Sequence, residues 1–219
     1  MLIGHFAVAL GAKKIAPQIS LGTLFIACQL LDLVWPIAVL LGIEHVAYSH
    51  SVPTYNFLHL SYIPYSHSLL MACIWGLVFC LGLAFKNRNL KQIFTVFMVV
   101  LSHWILDLIV HIPDLQLWFG SQRYGLGLWN SAHYTYLFET TLLAIGITLY
   151  LRHQQIWQLL KPAFLMLVIA LQSSFTYHTY FFRPEESNSG MTVAGPAFLL
   201  WGIVDWGYFI DQKKPPHAF

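Results

Sequence analysis

Charge is scarce in this chain. Only 9% of its 219 residues are Asp, Glu, Lys or Arg, against about 25% in an ordinary soluble domain. The chain is too apolar for a disordered segment or a nucleic-acid-binding domain, and the same deficit argues against a soluble cytosolic enzyme. Cysteine is scarce as well. Cys28, Cys73 and Cys80 all lie in apolar runs. An odd number without a CxxC pair argues against a disulfide scaffold and against a thiolate metal site. These thiols read as small buried apolar residues. Internal repeats and low-complexity tracts are missing too, and a formal net charge of +2 selects no partner.

What the chain has instead is apolar length. Hydrophobic residues make up 58% of it, with a mean hydropathy of +0.63. A membrane-spanning helix takes about 20 apolar residues. The sequence therefore predicts an all-α, polytopic membrane helix bundle with six or seven transmembrane or half-inserted helices. Residues 1–219 form a single integral-membrane domain. A short apolar helix over 1–12 is expected to be tilted or half-inserted. Spans follow at 19–43, 66–85, 92–111, 133–151, 160–182 and 195–211, and Pro36 is expected to kink the first of them. The polar stretches 44–64 and 112–132 read as long loops. In the N-terminal run the positive charge follows the apolar residues. A cleavable signal peptide carries it before them, so residues 1–16 are expected to stay in the mature chain.

If every span crosses, Lys13, Lys14, Lys86, Arg88, Lys91, Arg152, Lys161, Lys213 and Lys214 fall on one side, with Arg123 and Arg183 on the other. The positive-inside rule places the nine in the cytoplasm and the two long loops outside.

Ionisable groups within apolar spans cost at least ~2.5–3.5 kcal/mol each and are functional candidates by default. Here they are His5, Asp32, His67, His103, Asp107, His111, Glu139 and Asp205. The strongest pattern is His103-x-x-x-Asp107-x-x-x-His111. Residues four apart share a helix face, so three ligand-type side chains form one stripe. Imidazole with carboxylate suits zinc or a similar divalent ion. A proton relay or a packed polar stripe is the competing explanation. With a rise of ~1.5 Å per residue, Asp107 stands about 24 Å from Lys91 and Asp32 about 22 Å from Pro17. Both then lie in the outer half of the membrane, where His67 opens its span. His5, ~12 Å from Lys13 on the same arithmetic, sits deeper and needs a tilt to join them. Metal binding by the loop residues His45, His50 and His59 is not expected, and Asp205 is expected to bond a neighbouring helix.

Gly4-His5, Asp32, Ser66-His67-Ser68 and His103-Trp-x-x-Asp107, in that order, resemble the bacterial YdjM-like family of inner-membrane metal-dependent hydrolases. The resemblance covers residues 1–150, the metal-site core, and leaves 151–219 as additional transmembrane helices. Around Asp32 the chain carries a single acid where many members of that family have Pro-Asp-x-Asp. The same order is more distantly similar to the helical zinc-dependent phospholipase C fold. That likeness implies a first metal on Asp32, His67, His103 and Asp107. His5 then helps with a second ion that shares Asp107, and His111, His133 and Glu139 are candidates for further ligands. His133 and Glu139, six residues apart, do not share a helix face.

The expected activity is a membrane-embedded hydrolase that binds one to three divalent ions, zinc first among them. It would cleave a phosphate ester of a lipid or lipid-linked substrate near the outer leaflet of a bacterial inner membrane. The metal activates a water, Glu139 or His111 protonates the leaving group, and Arg123 either clamps a phosphate or is an exposed loop residue. Asp114 either supports the metal site or caps a turn. The alternative is a metal- or proton-coupled transporter using the same His/Asp cluster, and a third option is a metal-stabilised scaffold.

Overall fold

The computed structural model describes residues 3–86, 88–153 and 183–212. The expected span over 160–182, and with it His178, lies outside the described residues, as does His217. Helices dominate: α1 (Ile3–Ala12), α2 (Leu21–Leu40), α3 (Pro64–His67), α4 (Leu69–Ala84), α5 (Leu90–Val110), α6 (Ala132–His153), α7 (Gly190–Ala194) and α8 (Leu199–Gln212). Three of them, over Leu21–Leu40, Leu90–Val110 and Ala132–Arg152, are long and apolar enough to cross a membrane. Helices α1 and α4 are apolar but shorter.

The helix starts follow local chemistry. Ser20 accepts from the Thr23 N–H at 3.0 Å to cap α2, Ser68 accepts from Met71 at 3.2 Å to cap α4, and Asn89 accepts from Gln92 at 3.3 Å to cap α5. Each side chain satisfies a donor that the helix itself leaves free. Pro36 lies inside α2, which continues to Leu40. Proline has no N–H, so the Asp32 carbonyl four residues earlier loses its helical partner.

The stretch 44–64, expected to be a loop throughout, contains a hairpin. β1 (His45–Tyr48) pairs antiparallel with β2 (Leu58–Tyr62). Val46 and Leu60 oppose one another on its buried side, and alternation of apolar residues places one face of the ribbon on the protein. The second loop folds back over the start of α4, where the N–H groups of Leu69 and Leu70 donate to the Gln116 and Leu117 carbonyls at 3.0 and 2.9 Å.

Helix α5 is the pillar, flanked by α4, α2 and α1. The short α1 packs chiefly on α6, with Gly146 allowing the approach: a Cβ there would come 2.5 Å from the Ala7 carbonyl oxygen. On the other flank α8 lies along α2. One apolar core joins α1, α2, α4, α5 and α8, and a second lies under the hairpin around Trp35, Ile63, Val110, Leu115 and Trp129.

Candidate metal centre

Helix α5 delivers His103 and Asp107 four residues apart on its buried face, and His111 caps its end. Asp32 comes from α2, His67 closes α3, and His5 comes from α1. The break at Ser68, an extended residue between α3 and α4, lets His67 turn inward while Ser68 starts the next helix.

These side chains converge. His5 Nε2 lies 3.2 Å from Asp107 Oδ1, and His103 Nε2 lies 3.0 Å from Asp107 Oδ2. His67 Nε2 lies 3.2 Å from Asp32 Oδ1 and 3.7 Å from Asp107 Oδ2. His103 Nε2 is 3.7 Å from Asp32 Oδ1, and His111 Nε2 is 3.7 Å from Asp107 Oδ1. One ligand atom each from His5, His103 and Asp107 falls within 4.8 Å of the others, and the same holds for Asp32, His67 and His103. Ligands around a tetrahedral zinc with bonds near 2.05 Å stand about 3.3 Å apart, so the group could hold a metal ion, although His67 Nε2 and Asp32 Oδ1 are also at hydrogen-bond distance. The depth difference expected for His5 is removed because α1 docks on α6 beside α5.

The outward-facing ring nitrogens define the donor set further. His103 Nδ1 meets the Cys28 carbonyl at 2.7 Å, His111 Nδ1 meets Asp114 Oδ1 at 2.8 Å, and His67 Nδ1 meets Ser66 Oγ at 2.7 Å. A carbonyl and a carboxylate only accept, so the first two rings hold their proton on Nδ1. When neutral they turn an Nε2 lone pair towards carboxylate oxygens, an arrangement that a cation between them makes favourable. Among the described residues, His103 Nε2 and both ring nitrogens of His5 have no hydrogen-bond partner. His103 Nε2 lies within ion-pair distance of Asp107 Oδ2, at 3.0 Å. The residues present fit a divalent ion. Except for Asp32, whose side chain is 17% exposed, the ligand side chains are 5% exposed or less.

Other expected participants sit differently. Glu139 is buried, but its Oε2 accepts the N–H groups of Ile3 and Gly4 at 2.8 and 3.2 Å. It satisfies backbone donors at the start of α1 that the helix itself leaves free. Arg123 is held in place by two backbone carbonyls: Nη1 donates to that of Asp114 at 2.9 Å and Nη2 to that of Ser61 at 3.0 Å. Asp114 supports His111. His133 is exposed at the start of α6 beside Tyr134, outside the cluster. His45, His50 and His59 are exposed on or near the hairpin, with His50 Nε2 3.0 Å from the Pro184 carbonyl, and Asp205 is exposed on α8. All three cysteines are free.

Sequence reasoning missed Glu44. It is buried just before β1, and its carboxylate accepts the Ser66 N–H and the Ser66 hydroxyl, both at 2.7 Å. Its only signal in the sequence was an acid beside an apolar span. Trp129, whose ring lies 4.0 Å from that of His111, was missed as well. No family model, curated protein or solved structure matches the chain.

Proposed function

We propose that the chain is an integral-membrane metal-dependent hydrolase of the YdjM-like kind, acting on a phosphate ester of a lipid or lipid-linked substrate. The observation that carries this reading is the convergence of His5, Asp32, His67, His103, Asp107 and His111 on a common space, where His103 Nε2 and both ring nitrogens of His5 lack a hydrogen-bond partner among the described residues. Asp107 offers Oδ2 towards His103 and His67 and Oδ1 towards His5 and His111. Because His103 Nδ1 is taken by the Cys28 carbonyl, its Nε2 serves one ion only. We therefore assign one ion to Asp32, His67, His103 and Asp107, and a second to His5 and His111 with Asp107 shared. Zinc is the first choice on donor chemistry.

A bound divalent ion supplies a water acidified towards pKa ~7 and a counter-charge for the developing oxyanion. Asp32, the most exposed ligand, marks the side from which a reacting group arrives. His111, whose Nδ1–H is held by Asp114, would give its Nε2 to the second ion and so has no proton left for the leaving oxygen. Glu139 is engaged at the start of α1, which moves it from proton donor to support of His5. The chain's setting is a bacterial inner membrane, with six or seven membrane helices and the site towards the periplasm, where a lipid substrate enters sideways.

The test is hydrolysis of phosphomonoester, phosphodiester and carboxylic-ester lipids by zinc-loaded protein in detergent. Turnover that disappears on chelation and in Asp107→Ala supports the proposal. Inert loaded protein that carries protons or cations into liposomes replaces it with the transporter.

A further inference from the structure

We infer that Glu44 sets which nitrogen of His67 is free to bind metal, acting through the Ser66 hydroxyl as a positioning residue. This rests on the metal-site reading above and adds a group outside the ligand set.

Three buried residues form a line. Glu44 Oε1 accepts the Ser66 N–H, Glu44 Oε2 accepts the Ser66 hydroxyl, and Ser66 Oγ meets His67 Nδ1, each at 2.7 Å. An ionised carboxylate only accepts hydrogen bonds, and a hydroxyl has one proton to give. That proton goes to Glu44. The bond between Ser66 Oγ and His67 Nδ1 then runs the other way, with Nδ1–H donating to the serine oxygen. His67 Nε2, at hydrogen-bond distance from Asp32 Oδ1 (3.2 Å) and 3.7 Å from Asp107 Oδ2, is then left in the neutral ring with the lone pair that a metal requires.

The line has a polarity that one isosteric change reverses. In Glu44→Gln the Ser66 N–H still demands an acceptor, which the amide oxygen provides. The amide NH2 then faces Ser66 Oγ and donates to it. The serine hydroxyl is pushed to donate to His67 Nδ1, and the His67 proton moves to Nε2, where it blocks coordination. Ser66→Ala removes the line without reversing it and leaves His67 free to choose. The near-identical side chain is therefore the more harmful change at the metal site, the opposite of what a role in packing gives.

The experiment uses full-length protein with 15N-labelled histidine, loaded with zinc, in wild type, Glu44→Gln, Ser66→Ala and the double variant. It reads zinc affinity by competition with a chelator and the 15N shifts of the His67 ring, and thermal melting confirms that each variant is folded. Wild type is expected to show a protonated Nδ1 and a metal-bound Nε2. Glu44→Gln should lose ~100-fold in affinity and Ser66→Ala ~10-fold, within the range for groups that support ligands. The double variant should return to the Ser66→Ala value, because the amide then has no hydroxyl to turn. Folded Glu44→Gln protein that binds zinc like wild type through His67 Nε2 overturns the inference and leaves the metal site standing. If Glu44→Gln does not fold, Ser66→Ala decides: a His67 ring with its proton still fixed on Nδ1 and unchanged affinity overturns it. Wild-type protein that takes up no zinc overturns the metal site itself.

Discussion

The ring of His5 lies flat on that of His103, with centroids 3.7 Å apart and planes within 6°. The two come from helices whose sequence positions implied different depths. Their Nε2 atoms address opposite oxygens of Asp107. Protonating both rings would place two positive charges face to face in a buried space, whereas two neutral rings can each donate a lone pair to a metal.

The first consequence is a pH dependence of metal retention. Imidazole and carboxylate ligands must be deprotonated to coordinate, so protons compete with the ion. Zinc held at pH 8 should be released progressively as the solution is acidified towards pH 5, and restored on return. Equilibrium dialysis across that range checks this, and retention independent of pH contradicts it.

Glu139 supports α1 through two backbone bonds to Oε2. Glu139→Ala should cost about 1–3 kcal/mol through buried donors left unmet and should weaken zinc binding by loosening His5. Glu139→Gln keeps an acceptor and should retain most of both, measured by thermal melting and zinc titration in detergent. Glu139→Gln that melts as wild type but loses all turnover would return Glu139 to the role of proton donor.

Close packing of α1 on α6 gives a paired test. Gly146→Ala drives a methyl against the Ala7 backbone and should destabilise by about 1–3 kcal/mol. Gly82 has nothing within 4 Å of a new Cβ, so Gly82→Ala should be neutral or stabilising by about 0.5–1 kcal/mol. Equal melting shifts would mean that α1 does not dock as described.

The α5 stripe was legible because helical spacing turns His103, Asp107 and His111 into neighbours wherever the helix sits. Asp32 and His67 were legible as ionisable groups in or at the edge of apolar runs. The convergence of His5 needed the α1–α6 contact, which rests on a glycine and on Glu139 reaching back more than 130 residues. The hairpin was hidden because the prolines, histidines and aromatics of 44–64 obscure the alternation of Val46, Tyr48, Leu58, Leu60 and Tyr62. Glu44 and Arg123 were obscure for one reason: each works through a partner far away in sequence, and no periodicity marks such a pair.

Arg123 joins the Ser61 carbonyl of β2 to that of Asp114, which holds His111. Arg123→Ala should lower the melting midpoint, with a loss of about 1–3 kcal/mol. It should leave the affinity for a phosphate ester close to wild type. A large rise in KM with unchanged melting would instead make Arg123 a substrate clamp.

The most direct measurement is the zinc content of purified full-length protein after stripping, reloading and removal of excess metal, compared with His103→Ala and Asp107→Ala. Wild type should keep zinc in at least stoichiometric amount, and each variant should fall well below it while remaining folded. Stoichiometric zinc in both variants, or none in wild type, would contradict a centre built on these side chains.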